Sequence, residues 1–431
     1  MEARRKIMKE IVMGFLGGGN IGGCVYRLLT DMKKEIAERF DLSIRVKKVL
    51  VKDLESFIPN GIPEDLLVFD YKDVTEDPEI TMVAEFMGGE HPAADFMLEA
   101  LKHGKTAVTA NKVALALNWD KLQAAAQANH CGLYYEASVG GAMPIIAMLN
   151  NSLQANRIDS MMSIINGTTN YILSDMSTNG TSYADSLAEA QRLGLAEPNP
   201  TFDVEGMDAA YKLSILSSLA FNGRVTYNEI YREGITKVSP LDISCGREMG
   251  YVLKLLAIAK NTDNCVETRV HPTFIPSNHP LASVNGSFNA VYLHGHSCED
   301  MMLQGYGAGT PTASAVCSDI INAATADKHA FPYFDNTATA CPAFDFTSNW
   351  VTRFFIRLSV VDEPGVLAHV AECFGREGIS IATMMQKKSG PDKRVPLILI
   401  THAAYEQSMQ TALSHLDPSR AEVGNVIRVE E

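Results

Sequence analysis

The chain has 431 residues, 46% hydrophobic and 20% charged, an ordinary globular composition long enough for two or three cores, which excludes disordered and fibrous folds. Its 37 basic and 51 acidic residues give a net charge of −14, which gives little support to an extended nucleic-acid footprint and favours solubility. No apolar run approaches the roughly 20 residues of a membrane helix, the opening stretch lacks a signal-peptide core, and eight scattered cysteines without a CxxC pair suit reduced thiols, so a cytoplasmic protein with no membrane partner is expected.

From 11 to 16 a short apolar strand runs into GGGNIG, and residues 21 to 30 follow with helical spacing. Gly17, Gly19 and Gly22 hold the GxGxxG register, with Asn20 and Ile21 between them. The chain there must turn tightly, admit a pyrophosphate and pack a helix closely, while the helix start offers free N–H groups to an anion. Alone, the motif also fits a plain strand-to-helix turn. Its place in a repeating strand and helix pattern favours a dinucleotide site. Further strands are expected at 44–51, 81–87, 106–109 and 132–136, with helices at 92–103 and 119–129, which makes a parallel, doubly wound sheet. At the end of the second strand, Lys52 suits the 2′-phosphate of NADP and Asp53 the free ribose of NAD. Both also fit solvated loop charges, and the balance leans to NADP. Lys112 follows the fourth strand at the end where open α/β sheets bind ligands, or else is a helix-start lysine facing water.

Beyond Glu136 the texture changes to Ser, Thr, Asn and Gly turns around two helical stretches, near 182–193 and 206–221. Residues 137–304 read as a second, substrate-bearing domain. Glu136 and the turn SVGGAMP offer a carboxylate and several carbonyls to a monovalent or hard cation. Residues Asn166 to Asn170 read as a turn or as a ligand loop with donors for a carboxylate. In GLAEPNPTFDVEGMDAAYK, Asp208 and Lys212 lie four apart and share a helical face. That spacing alone fits an exposed salt bridge, but the face continues through Ile215, Leu216 and Leu219, so the charges do not lie on a solvated stripe. Pro198 and Pro200 are expected to hold Glu197 and Asp203 in a non-helical loop. Three carboxylates and one lysine would then converge on a cationic amine and a reacting carbonyl. His294, His296 and Cys298 alternate on an expected strand; zinc would lack a fourth ligand, and a polar strand surface is the better account.

Small residues at helical spacing over 310–325 follow the turn GYGAG, and this helix is expected to pack back on the first domain, which then spans 1–136 and 305–330. Residues 340–345, ACPAFD, read as a linker. A strand at 353–362, a helix at 366–377, strands at 379–386 and 395–400, a helix at 405–415 and a last strand at 425–429 make a βαββαβ module over 350–431; deleting 345–431 is expected to abolish inhibition and leave activity.

Several motifs, in order, resemble homoserine dehydrogenases along nearly the whole chain: GGGNIG, VTANK (108–112), YEASVGGAMPII (135–146), INGTTNYIL (165–173), AEPNPTFDVEGMDAAYKLSIL (196–216), HPLASVNGSFNAV (279–291) and GAGTPTASAV (307–316). The tail, VVDEPGVLAHVAECF with GISIATMMQ, resembles an ACT domain. The resemblance implies a Rossmann-type dinucleotide domain, an α+β substrate and dimerisation domain, a ferredoxin-like ACT domain and a homodimer or homotetramer. The implied reaction is the NAD(P)-linked interconversion of L-homoserine and L-aspartate 4-semialdehyde, in the route to threonine, methionine and isoleucine. By motif position, Lys212 would give the proton, Asp208 and Glu197 would bind substrate beside the Gly167–Thr168 loop, and Asp203 would support them. Lys112 would bridge cofactor and substrate, while Gly194 and Gly307 would lie near the nicotinamide. Glu136 and the carbonyls of Val139, Gly141 and Met143 would form a sodium site. Asp362, Pro364 and Gly365 would bind threonine across paired tails, although the tail also fits a plain dimerisation module. Five positions depart from the family pattern, among them His294 and His296 in a region usually acidic or apolar. Leu195 replaces a tyrosine that gives a substrate hydrogen bond, Asn199 replaces an aspartate, and Lys52 replaces an arginine and its bidentate fork. The rival readings are another amino-acid or semialdehyde dehydrogenase, for which Leu195 speaks, and a non-catalytic sensor, against which the set Glu197, Asp208, Lys112 and Lys212 speaks.

Overall fold

The computed structural model describes residues 8–54, 57, 59–332, 334, 344–387 and 394–430; of the expected linker, 340–343 lie outside them. The chain divides into two compact units, the first formed by residues 1–157, 214–227 and 305–342 and the second by 158–213, 228–304 and 343–431. No helix among the described residues is long and apolar enough to cross a membrane.

The first unit is built on six parallel strands: β1 (Lys9–Leu16), β2 (Leu42–Leu50), β3 (Leu67–Val68), β4 (Met82–Glu85), β5 (Thr106–Thr109) and β6 (Leu133–Tyr134). Their order β3-β2-β1-β4-β5-β6 reverses direction at β1 and β4, the crevice where doubly wound sheets take their ligand. The central strands β4 and β5 are short and fully buried, as in a sheet covered by helices on both faces, whereas β2 carries Arg45, Lys47 and Lys48. Met13, Phe15, Val49, Ala84 and Val108 form the core with Ala313, Val316 and Ile320 of the Thr310–Thr325 helix. The alanines and valines of that helix let it lie close to the sheet, which fits its small-residue pattern.

The second unit carries a mixed sheet that sequence reading did not resolve. Its strands are β7 (Ile158–Ile164), β8 (Tyr231–Arg232), β9 (Tyr251–Thr262), β10 (Cys265–Pro276), β11 (Phe288–Gly295), β12 (Glu299–Tyr306), β13 (Asp345–Phe346), β14 (Val351–Val361), β15 (Ile381–Gln386), β16 (Arg394–Thr401), β17 (Ala404–Tyr405) and β18 (Ala421–Val429). The main path runs β12-β11-β7-β9-β10-β18-β14-β16-β15. In β9, residues 253 to 259 are all buried, so the strand shows a buried run, apolar except for Lys254, without the period-two alternation that marks a half-exposed strand.

Residues 351–429 form a βαββαβ module with its own core around Phe354, Leu358, Val370, Phe374 and Leu399. This tail is joined to the rest of the second unit through shared strand pairing. β18 pairs in parallel with β10, Thr273 opposite Arg428 and Phe274 opposite Val429, so the module's sheet continues the other one. Charged groups tie the seam: fully buried Arg269 donates to Glu430 at 2.6 Å, Arg428 to Glu406 and Glu233 at 2.6 Å each, and Arg357 to Asp242 at 2.6 Å.

Candidate active site

In the first unit, β1 delivers the glycine turn to a cleft of about 740 Å³ lined by Gly17 to Asn20, Lys52, Asp53, Asn60, Phe69 to Tyr71 and Phe96. Gly17 has φ +109°, and a Cβ there would lie 3.1 Å from the Phe86 backbone; one on Gly22 would lie 2.7 Å from the Gly17 carbonyl. Gly19, by contrast, faces open space and precedes the Asn20–Asp31 helix as its N-cap, so a pyrophosphate can approach the backbone there. Sequence reading missed Asn60, whose amide donates to the carbonyls of Gly18 at 2.7 Å and Gly19 at 3.0 Å and so fixes the turn.

Lys112 opens the Lys112–Ala128 helix, capped by Asn111, whose Oδ1 accepts from the N–H groups of Val113 and Ala114. Behind the cap lies Glu85, a second residue that sequence reading missed. Its carboxylate accepts from Thr109 Oγ1 at 2.6 Å, from the Met87 N–H at 2.6 Å and from Asn111 Nδ2 at 3.3 Å. Burial raises its pKa, and those hydrogen bonds oppose the rise. The β4 and β5 ends and the start of the Lys112 helix are thereby tied to one carboxyl group.

Glu136 also belongs to the first unit. Its two oxygens accept from the N–H groups of Ile146 at 2.9 Å and Ala147 at 2.7 Å, and its own N–H donates to Asp319 at 2.8 Å. Burial pushes Glu136 up to about 7 and Asp319 up to about 8. Neither carboxyl has a basic partner among the described residues, and no cluster of three His, Cys, Asp or Glu side chains suited to a metal occurs among them. A carbonyl-rich site for a monovalent cation needs no such cluster. The 307 turn lies against this region, since a Cβ on Gly141 would meet the Tyr306 carbonyl and Gly307.

In the second unit the acid and lysine set is assembled by Asn166. This residue is the N-cap of the Gly167–Asn179 helix, so the stretch 166–170 is a capped helix start and not a plain turn. The Asn166 Oδ1 accepts from the Thr169 N–H at 2.8 Å, and its Nδ2 donates to Asp203 at 2.7 Å and Asp208 at 2.9 Å. Lys212, 12% exposed at its side chain, donates to Asp208 Oδ2 at 2.6 Å and to the Ile165 carbonyl at 2.8 Å. Its third proton has no acceptor among the described residues. Burial, and then the neighbouring Asp208, hold the Asp203 carboxyl above its usual range.

Other expected positions fall differently. Asp203 lies in the short Thr201–Val204 helix and not in a loop: Pro200 is its N-cap, and Asn199 Oδ1 accepts from the Thr201 N–H and hydroxyl, which starts the turn. Glu197 is in a loop as expected, but it is exposed and its side chain makes no hydrogen bond among the described residues. Thr168 Oγ1 donates to the Leu195 carbonyl at 2.6 Å, which docks the segment carrying Gly194 onto the capped helix. His294 lies next to the end of β11 and pairs with Asp300 at 2.9 Å, whereas His296 and Cys298 lie in the turn before β12; this turn breaks the alternation expected of one strand. In the tail, Asp362, Pro364 and Gly365 form an exposed turn. Gly365 has φ +90° at the start of the Val366–Arg376 helix, and Asp362 accepts from Gln386 at 3.1 Å.

Residues 17–136 match the family model described as the NAD binding domain of homoserine dehydrogenase, and residues 144–321 match the model described as homoserine dehydrogenase. The chain is 41% identical to the homoserine dehydrogenase of Corynebacterium glutamicum, over 97% of this chain and 95% of that protein. A crystal structure of a homoserine dehydrogenase from Thiobacillus denitrificans superposes with a TM-score of 0.90 at 38% identity, covering 98% of this chain and 99% of that one. A hyperthermophilic archaeal homoserine dehydrogenase in complex with NADPH superposes with a TM-score of 0.63 at 25% identity, over 73% of this chain and 97% of that one.

Proposed function

The chain belongs to the homoserine dehydrogenase family of NAD(P)-dependent oxidoreductases, and from that premise we propose that it interconverts L-homoserine and L-aspartate 4-semialdehyde with Lys212 as proton donor. The observation that carries this reading is the hydrogen bonding of Lys212: two of its protons are committed to Asp208 and Ile165, and the third is left for a ligand.

The dinucleotide, when bound, supplies the hydride. In the reducing direction Lys212 would give a proton to the semialdehyde carbonyl oxygen as negative charge develops there. Asp208, at 2.6 Å, holds the Lys212 ammonium in place. Asp208 and Glu197, supported by Asp203, hold the substrate amine, and the N–H groups of Gly167 and Thr168 at the helix start suit its carboxylate. Gly17, Gly19, Asn20, Ile21 and Gly22 seat the pyrophosphate, Lys52 favours the 2′-phosphate of NADP, and Lys112 serves as the cation beside the β5 end. The archaeal neighbour in complex with NADPH supports the lean to NADP. Glu136, with the carbonyls of Val139, Gly141 and Met143, would hold a sodium ion, which supplies the positive charge that two buried carboxyl groups lack. The tail, with its strand order β18-β14-β16-β15, is read as an ACT domain that takes threonine at Asp362, Pro364 and Gly365.

The test is the near-ultraviolet absorbance of reduced nicotinamide when purified protein meets L-homoserine with NADP or NAD. Reduction with NADP preferred is expected. Nucleotide binding without reduction would overturn the substrate assignment.

A further inference from the structure

Lys254 stands inside β9 and is 1% exposed, where a strand interior ordinarily carries an apolar side chain. Its ammonium meets no carboxylate among the described residues. It donates instead to Asn170 Oδ1 at 3.3 Å, to Asn285 Oδ1 at 3.0 Å and to the Val284 carbonyl. Asn170, on the first turn of the Gly167–Asn179 helix, donates in turn to the carbonyls of Val284 at 3.2 Å and Phe288 at 3.0 Å. The same loop backs the helix at two more points. Gly286 N–H donates to Ser174 Oγ at 3.1 Å, and a Cβ on Gly167 would lie 2.9 Å from the Ser287 carbonyl. Packing alone would be served better by an apolar side chain, because a buried ammonium among neutral acceptors loses hydration that they restore only in part.

We propose that Lys254 is a positioning residue for substrate binding, which, through Asn170 and Val284, locks the start of the Gly167–Asn179 helix, and with it Asn166, against the 284–288 loop. Asn166 is the residue that holds Asp203 and Asp208 together, so a shift of the helix start moves the groups assigned to the substrate. The inference rests on that assignment. The groups facing Lys254 are Asn170 from the helix, Val284 and Asn285 from the loop and Thr273 opposite it on β10, all uncharged. Burial therefore lowers its pKa, to about 8, with no charge to offset it. Above that pH the amine keeps two protons for three oxygens and the lock weakens.

The experiment is steady-state kinetics of the full chain between about pH 6.5 and about pH 9.5, varying L-homoserine and NADP separately, for the native sequence, Lys254→Met and Asn285→Asp. In the native protein the KM for homoserine should rise through about pH 8 while that for NADP stays flat. Lys254→Met should raise the homoserine KM about tenfold at all pH values and leave the NADP KM within about twofold. Asn285→Asp changes an exposed side chain, sets a carboxylate beside the ammonium and should move the rise in KM up by about one pH unit or more. A folded Lys254→Met with the native homoserine KM, or with both KM values raised alike, would overturn the proposal; so would an unmoved profile in Asn285→Asp. If Lys254→Met does not fold, the Asn285→Asp profile decides. A native protein that binds NADP and does not turn over homoserine would overturn the substrate assignment and this inference with it, a result distinct from native turnover with indifferent variants.

Discussion

Lys212 donates to Asp208 one helical turn earlier, at 2.6 Å, with the two side chains 12% and 5% exposed. General-acid groups contribute about a hundredfold to ten-thousandfold in rate. Lys212→Met should therefore cut kcat by about that factor while leaving NADPH affinity, measured by fluorescence titration, within about twofold. Equal loss of both would show a collapsed site. Removing one partner of a buried pair costs about 3–5 kcal/mol, an upper figure here because Asn166 still donates to Asp208. Lys212→Arg, which keeps the charge, separates folding from proton transfer.

Asn166 serves two carboxylates and caps a helix. Asn166→Ala should lose about 1 kcal/mol from the cap, seen as a Tm lower by a few degrees, and should raise the homoserine KM by about tenfold or more. Asp208→Asn should act mainly on the same KM. An unchanged KM in a folded Asn166→Ala would mean that Asp203 and Asp208 do not need the bridge.

The Glu136 and Asp319 pair predicts how stability follows pH and salt. Both carboxyls have folded pKa values, about 7 and about 8, above their ordinary ones near 4. Their contribution to stability is therefore full below pH 4 and is lost as pH rises through about 7 and 8. A cation bound to the ionised carboxylates reverses that loss. The Tm at about pH 8.5 should rise by several degrees in sodium chloride over choline chloride, with little difference near pH 6. Glu136→Gln should abolish the increment. Identical melting in the two salts would remove the sodium site.

Lys52 lines the cleft at the β2 end with Asp53 opposite in sign. Lys52→Ala should weaken NADPH binding by about fivefold to tenfold and leave NADH nearly unchanged. Parallel losses would show that the lysine acts on the pyrophosphate or on the fold and does not read the 2′ position.

For the tail, threonine should inhibit, and Asp362→Ala should raise the inhibitory concentration about tenfold or more without changing uninhibited kcat. Point substitution is the appropriate test, because deleting the module would strip β10 of β18 and leave Arg269 buried without Glu430. Inhibition that persists undiminished in Asp362→Ala would place the effector elsewhere.

The nucleotide half was legible in the sequence because its turn has steric needs that only glycine meets: positive φ at Gly17 and contact with the Gly17 carbonyl at Gly22. Asp208 and Lys212 were legible because a four-residue spacing on an apolar helix leaves few alternatives. The large sheet was not, since burial on both faces of β9 erases the alternation that marks a strand. A trace remained at Lys254, the one charged residue within the buried run LKLLAIA (253–259), whose improbability there was itself the signal. Asn60, Glu85 and Asn166 act by tying together segments distant in sequence, and no local pattern announces such partners.

The parallel pairing of β18 with β10 also sets an order of assembly. Some 150 residues separate the paired positions, so β10 leaves the ribosome many seconds before its neighbour exists. Until then Arg269 and Lys260 have no Glu430, and the edge of β10 at Thr273 and Phe274 stays open to other strands, although β8 already pairs Arg269 and Val270. A chain interrupted within the tail thus holds every residue assigned to the chemistry yet exposes the sheet edge on which aggregation and proteolysis act. Completion of the final strand closes that stretch of the sheet and pairs Arg269 with Glu430.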